Sequence, residues 1–101
     1  MANFVKVASV NEIAPGQGKC VMAGDRELAV FNVNGTFHAI DNTCPHQGGP
    51  LGDGELDGTV VTCPWHGWRF DVSNGTSPII PGIKLSKYEV KVEGDDVLVG
   101  V

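Results

Sequence analysis

Apolar and polar residues alternate along most of this chain with a period of two, the spacing that sends successive side chains to opposite faces of a β-strand. The longest such run is Leu85 to Glu93, with Tyr88, Val90 and Val92 on one face and Lys87, Glu89, Lys91 and Glu93 on the other. Phe4 to Ala8 reads as a first strand, and Val97 to Val101 as a last one reached through Gly94-Asp95. Lys19 to Ala23 and Glu27 to Val33 pair across Gly24-Asp25. Asn34-Gly35 is a type I′ turn signal that leads into Thr36 to Asp41. Further strands are predicted over Thr59 to Thr62 and Trp68 to Val72, with Asn74-Gly75 turning the chain afterwards. Ser9-Val10-Asn11-Glu12 has the spacing of a capping box and predicts one helical turn. About nine or ten short strands with almost no helix predict an all-β sandwich or barrel.

Composition narrows this picture. A chain of 101 residues predicts a single domain over 1–101, and 42% hydrophobic content allows a real core. No apolar run approaches the roughly 18 residues that span a bilayer. The N-terminus, Met1-Ala2-Asn3-Phe4-Val5-Lys6, lacks the basic flank and apolar stretch of a signal peptide. The expectation is therefore a soluble, cytoplasmic protein with no membrane partner. A net charge of −5 disfavours nucleic acid and anionic membrane surfaces. Asp41, Asp53, Glu55 and Asp57 crowd one stretch of sequence. They read either as docking charges for a basic partner or as solvated turn residues, since Asp53-Gly54 and Asp57-Gly58 are turn signals themselves.

The chemistry lies in four residues. Cys44 and His46 form Cys-x-His, and Cys63 and His66 form Cys-x-x-His, each pair in a Gly/Pro-rich stretch; the chain has only 3 Cys and 3 His in all. Thiolates select zinc or iron–sulfur centres, and imidazole suits either metal. A Cys2His2 zinc finger pairs its cysteines in one knuckle and its histidines on a helix. Here each segment supplies one of each, and Cys44-Pro45-His46-Gln47-Gly48-Gly49-Pro50 cannot be helical. The other reading is a [2Fe–2S] cluster with two Cys on one iron and two His on the other.

The strings Cys44-Pro45-His46-Gln47-Gly48-Gly49-Pro50-Leu51 and Cys63-Pro64-Trp65-His66-Gly67-Trp68-Arg69-Phe70-Asp71 resemble the two cluster loops of Rieske-type ferredoxins. The resemblance runs from the first strand to the last. It implies a Rieske-type β-sandwich or barrel with both loops at one tip, and one Rieske [2Fe–2S] cluster bound by Cys44, His46, Cys63 and His66. It also implies an electron carrier, not an enzyme, that shuttles single electrons from a flavin-dependent NAD(P)H reductase to a terminal oxygenase of the ring-hydroxylating dioxygenase type. His46 and His66 would face solvent as the exit route. The small Rieske subunit of an assimilatory nitrite reductase keeps the same loops and is the alternative. A structural zinc-binding interaction module is the alternative from another class, and oligomeric state is left open, a monomer being compatible with the small acidic chain.

Two thiolates and two neutral imidazoles leave the oxidised centre formally neutral, which raises its potential above that of all-cysteine clusters, to roughly −150 to +300 mV. Respiratory Rieske proteins carry an extra Cys in each loop, joined as a disulfide; the matching positions here are Gly49 and Trp65. They also place Ser and Tyr hydroxyls where this chain has Trp68 and Phe70, so the resemblance implies a potential at the low end of the range. A Rieske oxygenase needs in addition a mononuclear iron held by two His and a carboxylate. Only His38 remains once the cluster is filled, so the chain cannot build that site. Cys20 reads as a buried or half-buried strand thiol and His38 as structural. Trp65 reads either as a partner contact or as a shield over the cluster, and Trp68 and Phe70 as core. Pro78 and Pro81 read as stiffeners of a third loop beside the cluster.

Overall fold

The computed structural model describes residues 3–43, 49–65, 67–80 and 82–101. Among them the alternating pattern resolves into ten strands: β1 (Phe4–Ser9), β2 (Gln17–Ala23), β3 (Arg26–Val33), β4 (Thr36–Asp41), β5 (Glu55–Asp57), β6 (Val60–Thr62), β7 (Arg69–Asp71), β8 (Lys87–Tyr88), β9 (Val90–Glu93) and β10 (Asp96–Gly100). They form three antiparallel sheets in the orders β1-β10-β9, β2-β3-β4-β8 and β5-β6-β7. The all-β expectation holds.

The centre of the middle sheet, Leu28 to Phe31 of β3 with Ala39 and Ile40 of β4, is buried on both faces. Leu28, Val30 and Ala39 share one core with Val21 and Ala23, completed by Ala8, Ile13, Val97 and Val99 from the flanking elements. Ala29, Phe31 and Ile40 point the other way, into a second core with Leu51, Val61, Cys63, Phe70, Val72 and Leu85. This explains why β3 is apolar without interruption from Leu28 to Phe31: a strand covered on both sides has no solvent face to spend on polar residues. Register is correspondingly strict, because a slip of one residue would exchange the two cores. The β3–β4 hairpin is set by Asn34 and Gly35, both at positive φ (52° and 93°), as a type I′ turn requires.

One expectation is corrected. Leu85 to Glu93 is not one strand: β8 pairs with β4, whereas β9 pairs with β10 in another sheet. Glu89 is the crossover residue, its carbonyl accepting the Gly100 N–H at 2.9 Å. Tyr88 and Val90 still pack on the first core, but Val92 is 46% exposed because its sheet has no further layer over it there. The turn signals at Asp53-Gly54 and Asp57-Gly58 both fall in turns, a 3₁₀ turn over Leu51–Asp53 and the Gly58-Thr59 connection from β5 to β6, but Glu55–Asp57 between them is a strand that the sequence pattern does not predict. Leu56 explains the strand, since it lies opposite Val61 and packs against the second core. The expected helical turn after Ser9 is present as a 3₁₀ turn (Val10–Glu12), and the Glu12 carboxylate accepts the Ser9 N–H at 3.2 Å.

The two cores make different substitutions unequal. Phe31→Ala empties a fully buried ring site and should lower unfolding free energy by about 3–5 kcal/mol in urea denaturation. Val92→Ala should stay within about 0.5 kcal/mol of wild type in the same measurement.

Candidate metal centre

Cys63 is the first residue beyond β6, and β7 begins six positions later, with Thr62 opposite Arg69 in the ladder. The Cys63 N–H donates to the Trp68 carbonyl at 2.6 Å and closes residues 63–68 into a hairpin loop. The Cys63 side chain points into the second core and is 1% exposed. The other expected loop leaves β4 and returns at once: Thr43 bridges Pro50, and the Leu51 N–H donates to the Asn42 carbonyl at 2.8 Å. Its sequence therefore starts and ends at one point beside the same core.

The two loops meet at Gly49. A Cβ built there would lie 2.7 Å from Cys63 Sγ, closer than real contacts allow, and 3.1 Å from Trp65 Cβ, tighter than most. Glycine lets the backbone come this near the sulfur without displacing Cys63 or Trp65. Gly49 and Trp65, the positions matched to the disulfide-forming cysteines of respiratory proteins, sit against each other in space. Cys44, His46 and His66 lie outside the described residues, as does Pro81. Among the described residues no three Cys, His, Asp or Glu side chains converge as a metal site, and Cys63 is the one described member of the expected set. A thiol buried at the mouth of one loop, against a glycine of the other, fits a cluster gripped by both.

The remaining candidates fall into place around this point. Asp41 is committed to structure: its carboxylate accepts the Ser86 N–H at 3.1 Å and the Tyr88 hydroxyl at 2.7 Å, while Arg26 donates to that hydroxyl at 3.1 Å. Burial, then donation to Asp41, pushes the Tyr88 phenol up. Glu55 and Asp57 are exposed on the outer face of β5-β6-β7 and line a groove with Thr62, Arg69, Pro78 and Ile79. The Pro78 segment thus lies over the outer side of the second loop's own sheet. Phe70 is fully buried and Trp68 half-buried against the same core. Trp65 is 49% exposed.

Cys20, on β2, is half-buried and donates its S–H to Asn42 Oδ1 at 3.2 Å. Burial, followed by the Asp53 charge, pushes this thiol up, so it stays protonated. His38 is half-buried on β4; burial and then Lys87 hold it below its ordinary 6.5, with Asp71 opposing. Sequence reading overlooked Asn42, a buried amide at the mouth of the first loop. Its one legible signal was an amide directly after a strand, where no turn chemistry requires it.

A buried thiol at a hairpin loop is thus closed over by a glycine of a second loop on a small antiparallel β scaffold of three sheets. The chain belongs to the Rieske [2Fe–2S] domain family, which matches residues 3–97, and its cofactor is one Rieske-type [2Fe–2S] cluster. The ferredoxin component of biphenyl 2,3-dioxygenase from Rhodococcus jostii (strain RHA1) is 38% identical over 97 residues, covering 95% of this chain and 91% of that protein. Apoptosis-inducing factor 3 of Homo sapiens is 39% identical over 94 residues, 92% of this chain but only 16% of that protein. Among solved structures, the complex of reduced oxygenase and oxidized ferredoxin in carbazole 1,9a-dioxygenase contains a chain that superposes with a TM-score of 0.87 at 35% identity, covering 96% of this chain and 92% of that one. A nitrite reductase small subunit from Mycobacterium tuberculosis reaches a TM-score of 0.92 at 21% identity, over 100% of this chain and 96% of that one, and shares the fold. No helix among the described residues is long and apolar enough to cross a membrane.

Two measurements check this geometry. Gly49→Ala should lower iron and acid-labile sulfide per chain, because the added methyl costs about 1–3 kcal/mol of overpacking against Cys63 Sγ. For His38, the unfolded chain binds the proton more readily than the folded one. Its stabilising contribution is complete above about pH 6.5 and drains away as the pH falls below that value. His38→Asn should therefore flatten the fall in unfolding free energy below pH 6.5 and leave the visible spectrum intact.

Proposed function

We propose that residues 1–101 act as one Rieske domain and as a cytoplasmic electron carrier, accepting electrons from an NAD(P)H-dependent flavoprotein reductase and delivering them to a terminal oxygenase. The observation that supports this most is the near full-length match to a dioxygenase ferredoxin component, together with Cys63 buried where the two loops touch. Cys44 and Cys63 would hold one iron and His46 and His66 the other. When bound, the cluster supplies one-electron redox chemistry at a site where protein side chains fill the coordination sphere.

The chain's own residues do the rest. The Cys63–Trp68 backbone bond and the Gly49 contact hold the sulfur in a dry, tightly packed position, so little rearranges when the charge changes. Phe70 stands in the core without a hydroxyl to donate, which favours a potential at the low end of the family range. Trp65, half-exposed between Cys63 and His66 in sequence, offers an aromatic contact to a docking partner. Glu55 and Asp57 are exposed charges that would favour a basic partner surface and steer its approach at low salt.

Visible absorption and low-temperature EPR, before and after dithionite, test the cofactor and the ligand set together. A red-brown protein with a rhombic reduced signal averaging below the free-electron g value is expected. Cys63→Ala should abolish cluster incorporation; a variant that kept the full spectrum would exclude this ligand assignment. Redox titration should place the midpoint below about +100 mV within the range of such centres. The carrier role is then checked by stopped-flow reduction with a flavoprotein reductase and reoxidation by a terminal oxygenase. A colourless chain holding stoichiometric zinc would reject it.

A further inference from the structure

The neck of the first loop is tied to one side chain. Asn42 is 1% exposed, and its carbonyl accepts the Leu51 N–H at 2.8 Å. Its side-chain Oδ1 accepts the Gly52 N–H at 2.8 Å and the Cys20 S–H at 3.2 Å. Its Nδ2 donates to Glu27 Oε1 at 2.6 Å, a charge-assisted bond to the neighbouring strand. The returning chain has no slack here: a Cβ on Gly52 would lie 2.6 Å from the Cys20 nitrogen and 2.7 Å from its sulfur. One amide therefore joins the outgoing end of the loop, the returning end, β2 and β3.

We propose that Asn42 is a positioning residue for the cluster, latching the two ends of the segment that carries Cys44 and His46 to one place beside Cys63, a role that rests on the cluster assignment above. The chemistry demands a neutral amide. One end of the group accepts from Gly52 and Cys20 while the other donates to Glu27. An aspartate at this position would retain the acceptor and set its second oxygen against the Glu27 carboxylate. An alanine would leave the buried Gly52 N–H without an acceptor. Position in the strand supports the assignment. Asn42 follows the alternation of Ile40, toward the core that contains Cys63, whereas Asp41 faces the opposite side and holds Ser86 and Tyr88.

The test uses the full chain with its cluster, as wild type, Asn42→Asp, Glu27→Ala and the double variant Asn42→Asp/Glu27→Gln. Asn42→Asp should bleach about tenfold faster than wild type in the presence of an iron chelator, the size expected for losing a charge-assisted bond. Its reduced EPR g values should shift. Glu27→Ala, a change at an exposed residue, should move both readouts in the same direction and lower the hydrogen-exchange protection of the Gly52 N–H. The double variant should recover the wild-type g values, because the amide introduced at position 27 can donate to the carboxylate introduced at position 42. Unchanged g values and bleaching in both single variants would overturn the proposal, as would a double variant no better than Asn42→Asp. If Asn42→Asp does not fold, Glu27→Ala decides by the same readouts. A colourless wild-type chain overturns the cluster assignment and this role together, whereas a coloured wild type with indifferent variants overturns this role alone.

Discussion

Burial of β3 and the end of β4 on both faces is the constraint from which the rest of the structure follows. Side chains alternate along a strand, so Leu28 to Phe31 of β3 and Ala39 and Ile40 of β4 are each assigned to one of two cores with no freedom between them. Leu28 and Val30 serve the sheet formed by β1, β10 and β9; Ala29 and Phe31 serve the side that carries Cys63. The register of the β3–β4 hairpin therefore sets, in one step, which surface supports the cofactor and which is scaffold. Loops attached to so constrained a sheet inherit defined starting points.

The end of β4 shows how that order reaches the site. Asp41 and Asn42 are neighbours in sequence but face opposite sides of the same strand. Asp41 binds Ser86 and Tyr88 on the approach to β9, and Asn42 binds Leu51 and Gly52 at the mouth of the first loop. Two loops separated by dozens of residues in sequence are thereby referred to one strand end. The second loop needs no such device, because β6 and β7 pair directly and the Cys63–Trp68 bond closes it. The contact between Gly49 and Cys63 Sγ joins these two independently anchored loops. For a cofactor held from both sides this matters: an error in either anchor would appear as misplacement of one ligand pair relative to the other.

Where sequence reading succeeded and failed has a consistent physical pattern. Strands with strong apolar alternation or a two-residue turn were legible, as with Thr36 to Asp41 after Asn34-Gly35, since local propensity and side-chain burial agree there. β5 was not legible, because only Leu56 among its three residues is apolar and its pairing with Val61 is a tertiary fact. The run from Leu85 to Glu93 misled for the opposite reason. Its alternation is real, but continuous alternation does not reveal a change of partner, and the strand passes from one sheet to another at Glu89. Asp41 looked like a surface charge for the same want of information, its partners being 45 and 47 residues away.

The sequence by itself determined the all-β class, most strand positions, the Cys/His donor chemistry and the family to which it points. Those depend on residue type and short-range spacing, which a linear string records in full. Only the tertiary structure decided which face of the central sheet backs Cys63, that Gly49 lies against Cys63 Sγ and Trp65, and that Asn42 ties four segments together. Such properties depend on distances between residues remote along the chain. A hydrogen bond or a van der Waals contact exists only once two independently encoded segments have been packed to within a few ångströms of each other.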